Sequence, residues 1–356
     1  MAVPRRLLSA TLLAVLAGAG CGSSTPPGSD GGGTDRPAGG DNGNGDGGAG
    51  GCTPGGAPVD LTGTWAARVQ LAVELTQRPG GLLRLCPDPQ ATSARLLIRM
   101  GIRATGGHLV QSVQVCQVSL PQALGGVGGC PAQPLSIRLA PAPSLTAYIP
   151  RVVIPDITTE LGSIAPCSAY DPQAFTVLLG VRAGALGQPD TDALPAWCSP
   201  CGGATAAQCV CQDCGHTGAG CAARDSDVED SDGDGHPGVS VAVSTGAVPD
   251  PIAGEAYLAF RTRPRLNGTI LGVDRIAGAI EATLDYAVVG SGVQVVGNPL
   301  DPAALTGALP EFRIVPDGSE FVMLRADGGA LGQWDANGDR AIDCADIVAR
   351  ANNFDR

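Results

Sequence analysis

Lysine is missing from this chain of 356 residues, whose 22 basic residues are all arginine, and aromatic residues make up only 3% of it. So few aromatic rings cannot supply base-stacking platforms, and the formal net charge of −12 repels phosphate backbones. Both features argue against a nucleic-acid partner. The acidic residues are concentrated in residues 225–234 and 335–346, and such local clusters favour cations as partners.

Groups suited to catalysis are also scarce. The chain has three histidines, His108, His216 and His236, and none stands beside a plausible nucleophile. It contains no Gly-x-Ser-x-Gly elbow, phosphate loop, His-Glu-x-x-His pair or dinucleotide fingerprint. We therefore expect a protein that is not an enzyme.

The longest apolar run lies near the N-terminus. Residues 7–16 are mainly apolar, follow two arginines and precede the small residues 17–20. This run is too short to span a bilayer, and the whole pattern is typical of a secretory signal peptide. The sequence therefore predicts a signal peptide over residues 1–20 and export of the chain.

A cysteine follows this leader directly. Cys21, after small residues and before a polar run, resembles the lipobox of bacterial lipoproteins, which implies that Cys21 is acylated and anchors the chain to a membrane. Gly18 stands where that pattern usually has Leu, and residues 17–19 could instead serve an ordinary signal peptidase. Gly22, rather than Asp, follows the cysteine, which by the same resemblance implies sorting to the outer membrane of a Gram-negative cell. Basic residues that are all arginine, with abundant Ala, Gly and Pro, look like the product of a GC-rich bacterial genome.

Cysteine parity favours the same interpretation. The chain has 13 cysteines, so 12 remain if Cys21 carries lipid, and an even number can pair completely. Without lipidation, an odd thiol would be left in an oxidising compartment, which is uncommon. Residues 21–58 are Gly, Ser, Asp, Asn, Pro and Thr with little that is apolar, and they are predicted to be a disordered tether.

From residue 59 the pattern changes to alternation with period two. Val69, Leu71, Val73 and Leu75 share one predicted face, and similar runs separated by Gly, Pro and Asp recur to residue 325. This predicts an all-β fold, an antiparallel barrel or sandwich, with halves at residues 59–190 and 242–331. Gly63-Thr64-Trp65 resembles the start of lipocalin-like barrels, which implies an interior that binds a lipid or other apolar ligand. A Trp that plugs one end of any β-structure is the alternative.

Six cysteines crowd into residues 191–224, between the two halves. Their spacing alone would suit zinc, but thiols of an exported protein pair with one another, and His216 is the only imidazole nearby. We therefore predict a disulfide knot rather than a zinc site. The six cysteines are Cys198, Cys201, Cys209, Cys211, Cys214 and Cys221.

The final segment, residues 332–356, carries oxygen-bearing residues at calcium-loop spacing. Positions 1, 3, 5, 9 and 12 of the loop have side-chain oxygens, position 7 offers a carbonyl, and a short helix follows. The loop resembles those of EF-hand and dockerin proteins, although Arg340 replaces the turn glycine. An acidic turn that only caps the helix is the alternative. The predicted ligands are the side chains of Asp335, Asn337, Asp339, Asp343 and Asp346 and the carbonyl of Ala341.

A second acidic loop, predicted over residues 225–241, follows the cysteines. It resembles the loops of thrombospondin type-3 repeats, with Asp230, Asp232 and Asp234 at positions 1, 3 and 5. Position 12 is Val241, so a closing carboxylate would have to come from elsewhere, such as Asp225 or Asp227. A bound calcium ion would remove the repulsion among these carboxylates and fasten the cysteine-rich stretch to the next strand.

Two functions fit these features. The first is a calcium-stabilised structural or adhesive lipoprotein of the cell envelope, with an envelope protein or glycan as partner. The second is a lipocalin-like barrel that binds an apolar ligand. A cavity of several hundred Å³ would favour the second, and a solid core the first.

Overall fold

Alternating apolar residues build nearly all of the regular structure. The computed structural model describes residues 52, 54, 56–79, 83–105, 108–127, 129–159, 164–197, 227–247 and 250–355, and the backbone of 209–210. The predicted signal peptide, the lipidation of Cys21, most of the tether and the cysteine knot concern residues outside these ranges.

Long strands dominate the described chain, which confirms the prediction of an all-β fold. The strands are β1 Gly63–Thr76, β2 Leu83–Leu85, β3 Gln90–Thr105, β4 His108–Ser119, β5 Gln122–Val127, β6 Leu135–Pro141, β7 Val153–Thr159, β8 Ala169–Tyr170, β9 Val177–Leu179, β10 Ala196–Trp197, β11 Cys209–Val210, β12 Val239–Ser244, β13 Ile252–Ile270, β14 Arg275–Ser291, β15 Gln294–Val295, β16 Asn298–Pro299 and β17 Glu311–Arg325.

Short helices connect some of these strands. The α-helices are α1 Pro143–Tyr148, α2 Pro302–Ala308, α3 Leu331–Trp334 and α4 Cys344–Ala349, and 3₁₀ turns cover Ile149–Arg151, Gly328–Ala330 and Ala351–Asp355. Only α4 was predicted, because it follows the calcium-loop pattern near the C-terminus; α1, α2 and α3, of four to seven residues, were not predicted. Within the described residues, no helix has the length and apolar character needed to cross a bilayer.

Most strands join one antiparallel sheet that curls into a half-barrel. Its order is β2-β5-β6-β12-β13-β14-β17-β1-β3-β4-β7, with β8, β9 and β15 also pairing with β13. β6 pairs with β12, so strands from before and after the cysteine-rich stretch lie side by side. β10 and β11 form a separate parallel pair.

The inner face of the half-barrel is apolar. Val69, Leu71 and Val73 on β1 are all buried, as their alternation predicts, and Leu75 is completely covered. Trp65 is also fully buried, and its indole N–H donates to the carbonyl oxygen of Leu61 at 2.9 Å. A packed interior, rather than an open channel, therefore supports the sheet.

A second, smaller core lies beneath residues 326–355, which we call the C-terminal module. Trp334, Ile347 and Phe354 of the module pack with Ala66 of β1 and Leu97 of β3. The Arg99 side chain donates to the carbonyl of Ile342 at 2.6 Å, and Arg68 pairs with Asp355 at 2.5 Å. The module therefore buries residues on the face of β1 and β3 opposite to the main core.

Three disulfides staple the fold. Cys52 pairs with Cys167, Cys86 with Cys130, and Cys116 with Cys344. The last bond ties the C-terminal module to β4. The prediction of disulfide-bonded cysteines is confirmed for these six, which are all the cysteines after Cys21 that lie outside the cysteine-rich stretch.

Candidate metal sites

The acidic loop, residues 230–238, lies at the point where the chain returns from the cysteine-rich stretch. Val228 bridges to Val181, and the amide of Glu229 donates to the carbonyl of Gly180 at 3.3 Å. These contacts join the two ends of the segment between residues 181 and 228, which contains the cysteine-rich stretch, and we call this junction the base of that stretch. The loop then leads into β12, so it connects this base directly to the main sheet.

Three carboxylates converge in this loop. Asp230, Asp232 and Asp234 each place a carboxylate oxygen within 4.8 Å of the other two, the one such group of three among the described residues. The Asp230 side chain accepts hydrogen bonds from the amides of Gly233 at 2.7 Å and Gly235 at 2.9 Å. Both glycines have positive φ, +74° and +90°, which the backbone needs to fold around Asp230.

Two serine hydroxyls donate hydrogen bonds to the carboxylates of this cluster. Ser144 of α1 donates to the Asp232 carboxylate at 3.0 Å, and the Ser240 hydroxyl donates to Asp234 at 2.5 Å. The Ser240 amide also donates to the same Oδ2 of Asp232 at 3.0 Å. One side chain from a distant helix and one from β12 therefore face the carboxylates, so the site is shared by three segments of the chain.

One carboxylate oxygen of Asp232 is buried without a hydrogen-bond donor. This atom, Oδ1, has no partner among the residues that the structure describes. Burial raises the pKa of Asp232 above its ordinary value of 3.8, hydrogen bonds from Ser240 and Ser144 oppose this, and the nearby charge of Asp234 adds to it. A buried acceptor without a donor is costly, and a cation would satisfy it.

The predicted closing carboxylate is not found in the described residues. Asp227 does not join the group of three, and its backbone carbonyl accepts from the amide of Arg182 at 2.9 Å. Asp225 lies outside the described residues. Position 12 is the buried Val241, and the two serines face the carboxylates instead. Sequence reasoning missed both serines, and Ser144 carries no local signal because it precedes Asp232 by 88 residues.

The C-terminal loop, residues 335–346, repeats the hydrogen bonds of the acidic loop. Asp335 at position 1 accepts from the amides of Gly338 at 2.6 Å and Arg340 at 3.0 Å, as Asp230 does from its two glycines. Asp339 accepts from the amide of Ala341 at 2.8 Å, which matches the contact of Asp234 with the amide of His236 at 2.8 Å. The first half of both loops therefore has the same backbone conformation.

The glycine missing from position 6 of the C-terminal loop does not change this conformation. Arg340 adopts φ +68° there, in the left-handed region that Gly235 occupies in the acidic loop. A non-glycine residue in this region carries a steric cost of about 1 kcal/mol. The loop retains its conformation despite that cost.

The second half of the C-terminal loop ends in a helix cap. Asp346 at position 12 is almost fully buried, and its two oxygens accept from the amides of Ala336 at 2.9 Å and Asp343 at 3.0 Å. Asp343 in turn accepts from the amide of Asp346 at 3.0 Å, which forms a reciprocal capping box at the start of α4. Asn337 donates to Asp339 at 3.1 Å. Of the two described loops, the acidic loop is the one whose carboxylates converge.

Comparison with known proteins identifies no family for this chain. No protein-family model matches the chain, and no curated protein matches it.

Proposed function

We propose that this protein is a calcium-stabilised structural or adhesive lipoprotein of the cell envelope, anchored to the outer membrane through Cys21. Calcium at the acidic loop and at the C-terminal loop would stabilise the domain. The protein would act by holding a disulfide-stapled domain at the end of the predicted tether, with no reaction to catalyse.

The observation that carries this proposal is the unsatisfied Oδ1 of Asp232 within a cluster of three carboxylates. The carboxylate oxygens lie within 4.8 Å of one another. At that limit two like charges repel by about 1 kcal/mol in water and by about 3–4 kcal/mol at an effective dielectric constant of 20. The serine hydroxyls offset only part of this repulsion. A cation would remove the repulsion and satisfy the buried oxygen together.

The atoms that face the acidic loop suit calcium. Calcium prefers six to eight oxygen ligands, and carboxylates, hydroxyls, backbone carbonyls and water all provide them. Asp230, Asp232 and Asp234 would hold the ion, with Ser144 and Ser240 at the edge of the site. An ion there would couple α1, β12 and the base of the cysteine-rich stretch, which is a stabilising role.

Cysteine pairing supports the lipid anchor. Six of the 12 cysteines downstream of Cys21 pair with one another, so the six in the cysteine-rich stretch have only each other and Cys21 as partners. Complete pairing within that stretch would leave Cys21 as the one unpaired thiol. Acylation would consume it, which fits an oxidising compartment.

The interior of the half-barrel favours this function over binding of an apolar ligand. An apolar cavity lies between β5, β6, β12 and α2, lined by residues such as Ile137, Val243 and Leu305, and its volume is about 20 Å³. That volume holds about one water molecule, whereas sites for drug-sized ligands measure about 300–1,000 Å³.

Calcium titration tests the metal part of the proposal. We expect metal-free protein to bind calcium with a dissociation constant of about 10⁻⁴–10⁻³ M, the range of extracellular modules. At a hundredfold excess of calcium, one site would stabilise the fold by about 2.7 kcal/mol. Asp232→Asn should remove most of the effect at the acidic loop. Asp317→Asn, an exposed carboxylate on β17, is the matched control. Absence of heat and of any change in melting with millimolar calcium would refute this part.

Cell fractionation tests the anchor separately. Wild-type protein should sediment with outer membranes, and Cys21→Ser should move it to the soluble fraction. Mass spectrometry of the wild-type N-terminus should show a diacylglyceryl cysteine. Retention of the Cys21→Ser protein in the membrane fraction would contradict the lipoprotein assignment without affecting the calcium result.

A further inference from the structure

Asn337 and Gly338 form an exposed asparagine–glycine pair in the first half of the C-terminal loop. Asparagine deamidates most readily before glycine, because no Cβ hinders the glycine nitrogen from attacking the side-chain amide. The attack closes a ring within the chain, so the reacting groups do not have to meet by diffusion. In this loop, hydrogen bonds also hold the groups that take part in the reaction.

Each reacting group has a partner suited to its role. The Gly338 amide, which attacks, donates to Oδ1 of the Asp335 carboxylate at 2.6 Å. The Oδ1 atom of Asn337, on the carbon under attack, accepts from the Asp339 amide at 2.9 Å. The Asn337 Nδ2 group, which leaves, donates to Oδ2 of Asp339 at 3.1 Å. A base therefore faces the nucleophile, and an N–H donor polarises the carbonyl under attack.

We infer that Asn337 is a deamidation site of the folded protein, with Asp335 as the base. The Gly338 nitrogen bonds to Cγ of Asn337, its proton passes through Asp335 to solvent, and the Cγ–Nδ2 bond breaks. Nδ2 leaves as ammonia with a proton from solvent. Water then opens the cyclic imide at one of its two carbonyl carbons, which leaves aspartate or isoaspartate at position 337. The net change consumes one water molecule and releases one ammonia molecule.

A second asparagine–glycine pair of the described chain, Asn267 with Gly268, lies in a setting that opposes the reaction. Both residues belong to β13 and pair with β14, and Gly268 also pairs with Tyr170 of β8. Closing the ring would require the backbone to leave this ladder. We therefore expect Asn267 to persist under conditions in which Asn337 reacts.

Deamidation would change the ligands that the C-terminal loop offers. Aspartate at position 337 would give the loop carboxylates at positions 1, 3 and 5, as the acidic loop already has. Isoaspartate would instead lengthen the main chain by one methylene and disturb the hydrogen bond between Asp335 and Gly338. The link with calcium rests on the proposed function. An ion bound by Asp335 and Asn337 would occupy both the base and the side chain under attack, so calcium should slow the reaction.

Peptide mapping by mass spectrometry follows both pairs in one sample, since deamidation adds about 1 Da to a peptide. The oxidised protein is incubated with a chelator at mildly alkaline pH, and a second sample is reduced and unfolded in urea. We expect Asn337 to react about tenfold or more faster in the folded chain, because only the folded loop holds the base in place. Asn267 should react faster in the unfolded chain. Equal or slower reaction of Asn337 in the folded chain would overturn the inference.

A variant and calcium test the base and the metal separately. Asp335→Asn keeps an oxygen that can accept from the Gly338 amide but cannot take its proton, so Asn337 should react about tenfold or more slowly. Asp317→Asn is the matched control and should leave the rate unchanged. A wild-type rate in Asp335→Asn would contradict the inference, and the comparison of folded with unfolded wild type applies if that variant alters the loop. Fast reaction of Asn337 that millimolar calcium does not slow would support the inference and count against calcium at the C-terminal loop.

Discussion

Asp346 is a calcium ligand in one interpretation of the C-terminal loop and only a helix cap in the other, so its replacement can separate the two. The carboxylate is 1% exposed and accepts one backbone amide at each oxygen, from Ala336 and from Asp343. Asp346→Asn keeps the size and shape of the side chain. It removes the charge and turns one oxygen into an amide group that faces an N–H donor. The variant therefore breaks one of these two hydrogen bonds and weakens the other.

The cost follows from these contacts. Burial opposes ionisation of Asp346, but hydrogen bonds from the amides of Asp343 and Ala336 outweigh it, so the pKa of Asp346 lies below its ordinary value of 3.8. The carboxylate is therefore charged at pH 7, and hydrogen bonds to charged groups contribute about 1.5–3 kcal/mol each. Loss of a helix cap costs about 0.5–2 kcal/mol. We expect Asp346→Asn to lower the free energy of unfolding by about 2–3 kcal/mol without metal, and the melting temperature by about 4 °C for a domain of about 300 residues.

Urea unfolding with and without calcium decides what Asp346 does. If the residue only caps α4, the loss of stability is the same in a chelator and in 10 mM calcium. If it also binds the ion, the loss in calcium exceeds the loss in the chelator by up to about 2.7 kcal/mol. A loss below about 0.5 kcal/mol in the chelator would refute the hydrogen-bond argument. Equal losses in both buffers would leave the C-terminal loop as a helix cap.

Three further changes test other parts of the fold. Val296 is 69% exposed and has φ +51°. Because Asn tolerates this conformation better than Val, Val296→Asn should raise the free energy of unfolding by about 1 kcal/mol. If urea unfolding shows no gain, the backbone at Val296 is not strained. Burial opposes ionisation of Asp250, but hydrogen bonds from the Thr245 hydroxyl and from backbone amides outweigh it and lower its pKa. Its contribution is therefore complete above the ordinary value of 3.8 and disappears as pH falls through the lowered value. Stability measured between pH 7 and pH 2 should thus depend less on pH in metal-free Asp250→Asn than in wild type, and identical profiles would contradict this. Trp334→Ala should cost about 3–5 kcal/mol in urea unfolding, because the ring is 2% exposed in the smaller core, and a cost below 1 kcal/mol would mean that the C-terminal module is loosely packed.

The sequence predicted the strands because each has one apolar face. Val69, Leu71, Val73 and Leu75 alternate with polar residues, and all four are buried against the main core. This signal is local, since period two in sequence is one face in a strand. It does not report what covers the opposite face. Leu97, on the opposite face of β3, is buried only because the C-terminal module packs there.

Disulfide connectivity could not be predicted for a related reason. Twelve cysteines allow very many pairings, and spacing along the chain says little about distance in space. Cys116 and Cys344 are 228 residues apart, and they meet only because the C-terminal module folds back onto β4. The pairing therefore depends on the sheet order, which the apolar alternation leaves open.

The acidic loop and the C-terminal loop show how much of a site the local sequence can predict. Asp230 and Asp335 each organise the five residues that follow them through the same backbone hydrogen bonds, so spacing alone predicts the conformation of both loops. Their closing groups differ in kind. Asp346 lies within the same short loop as Asp335, so it is visible in the sequence, and its place at the start of α4 satisfies it with backbone amides. Ser144 reaches the other loop from a separate helix, so only the fold identifies it. The loop with the weaker sequence match is thus the one that gathers three carboxylates around an unsatisfied oxygen. Convergence of distant segments, more than loop spacing, is what makes the acidic loop the better candidate for calcium.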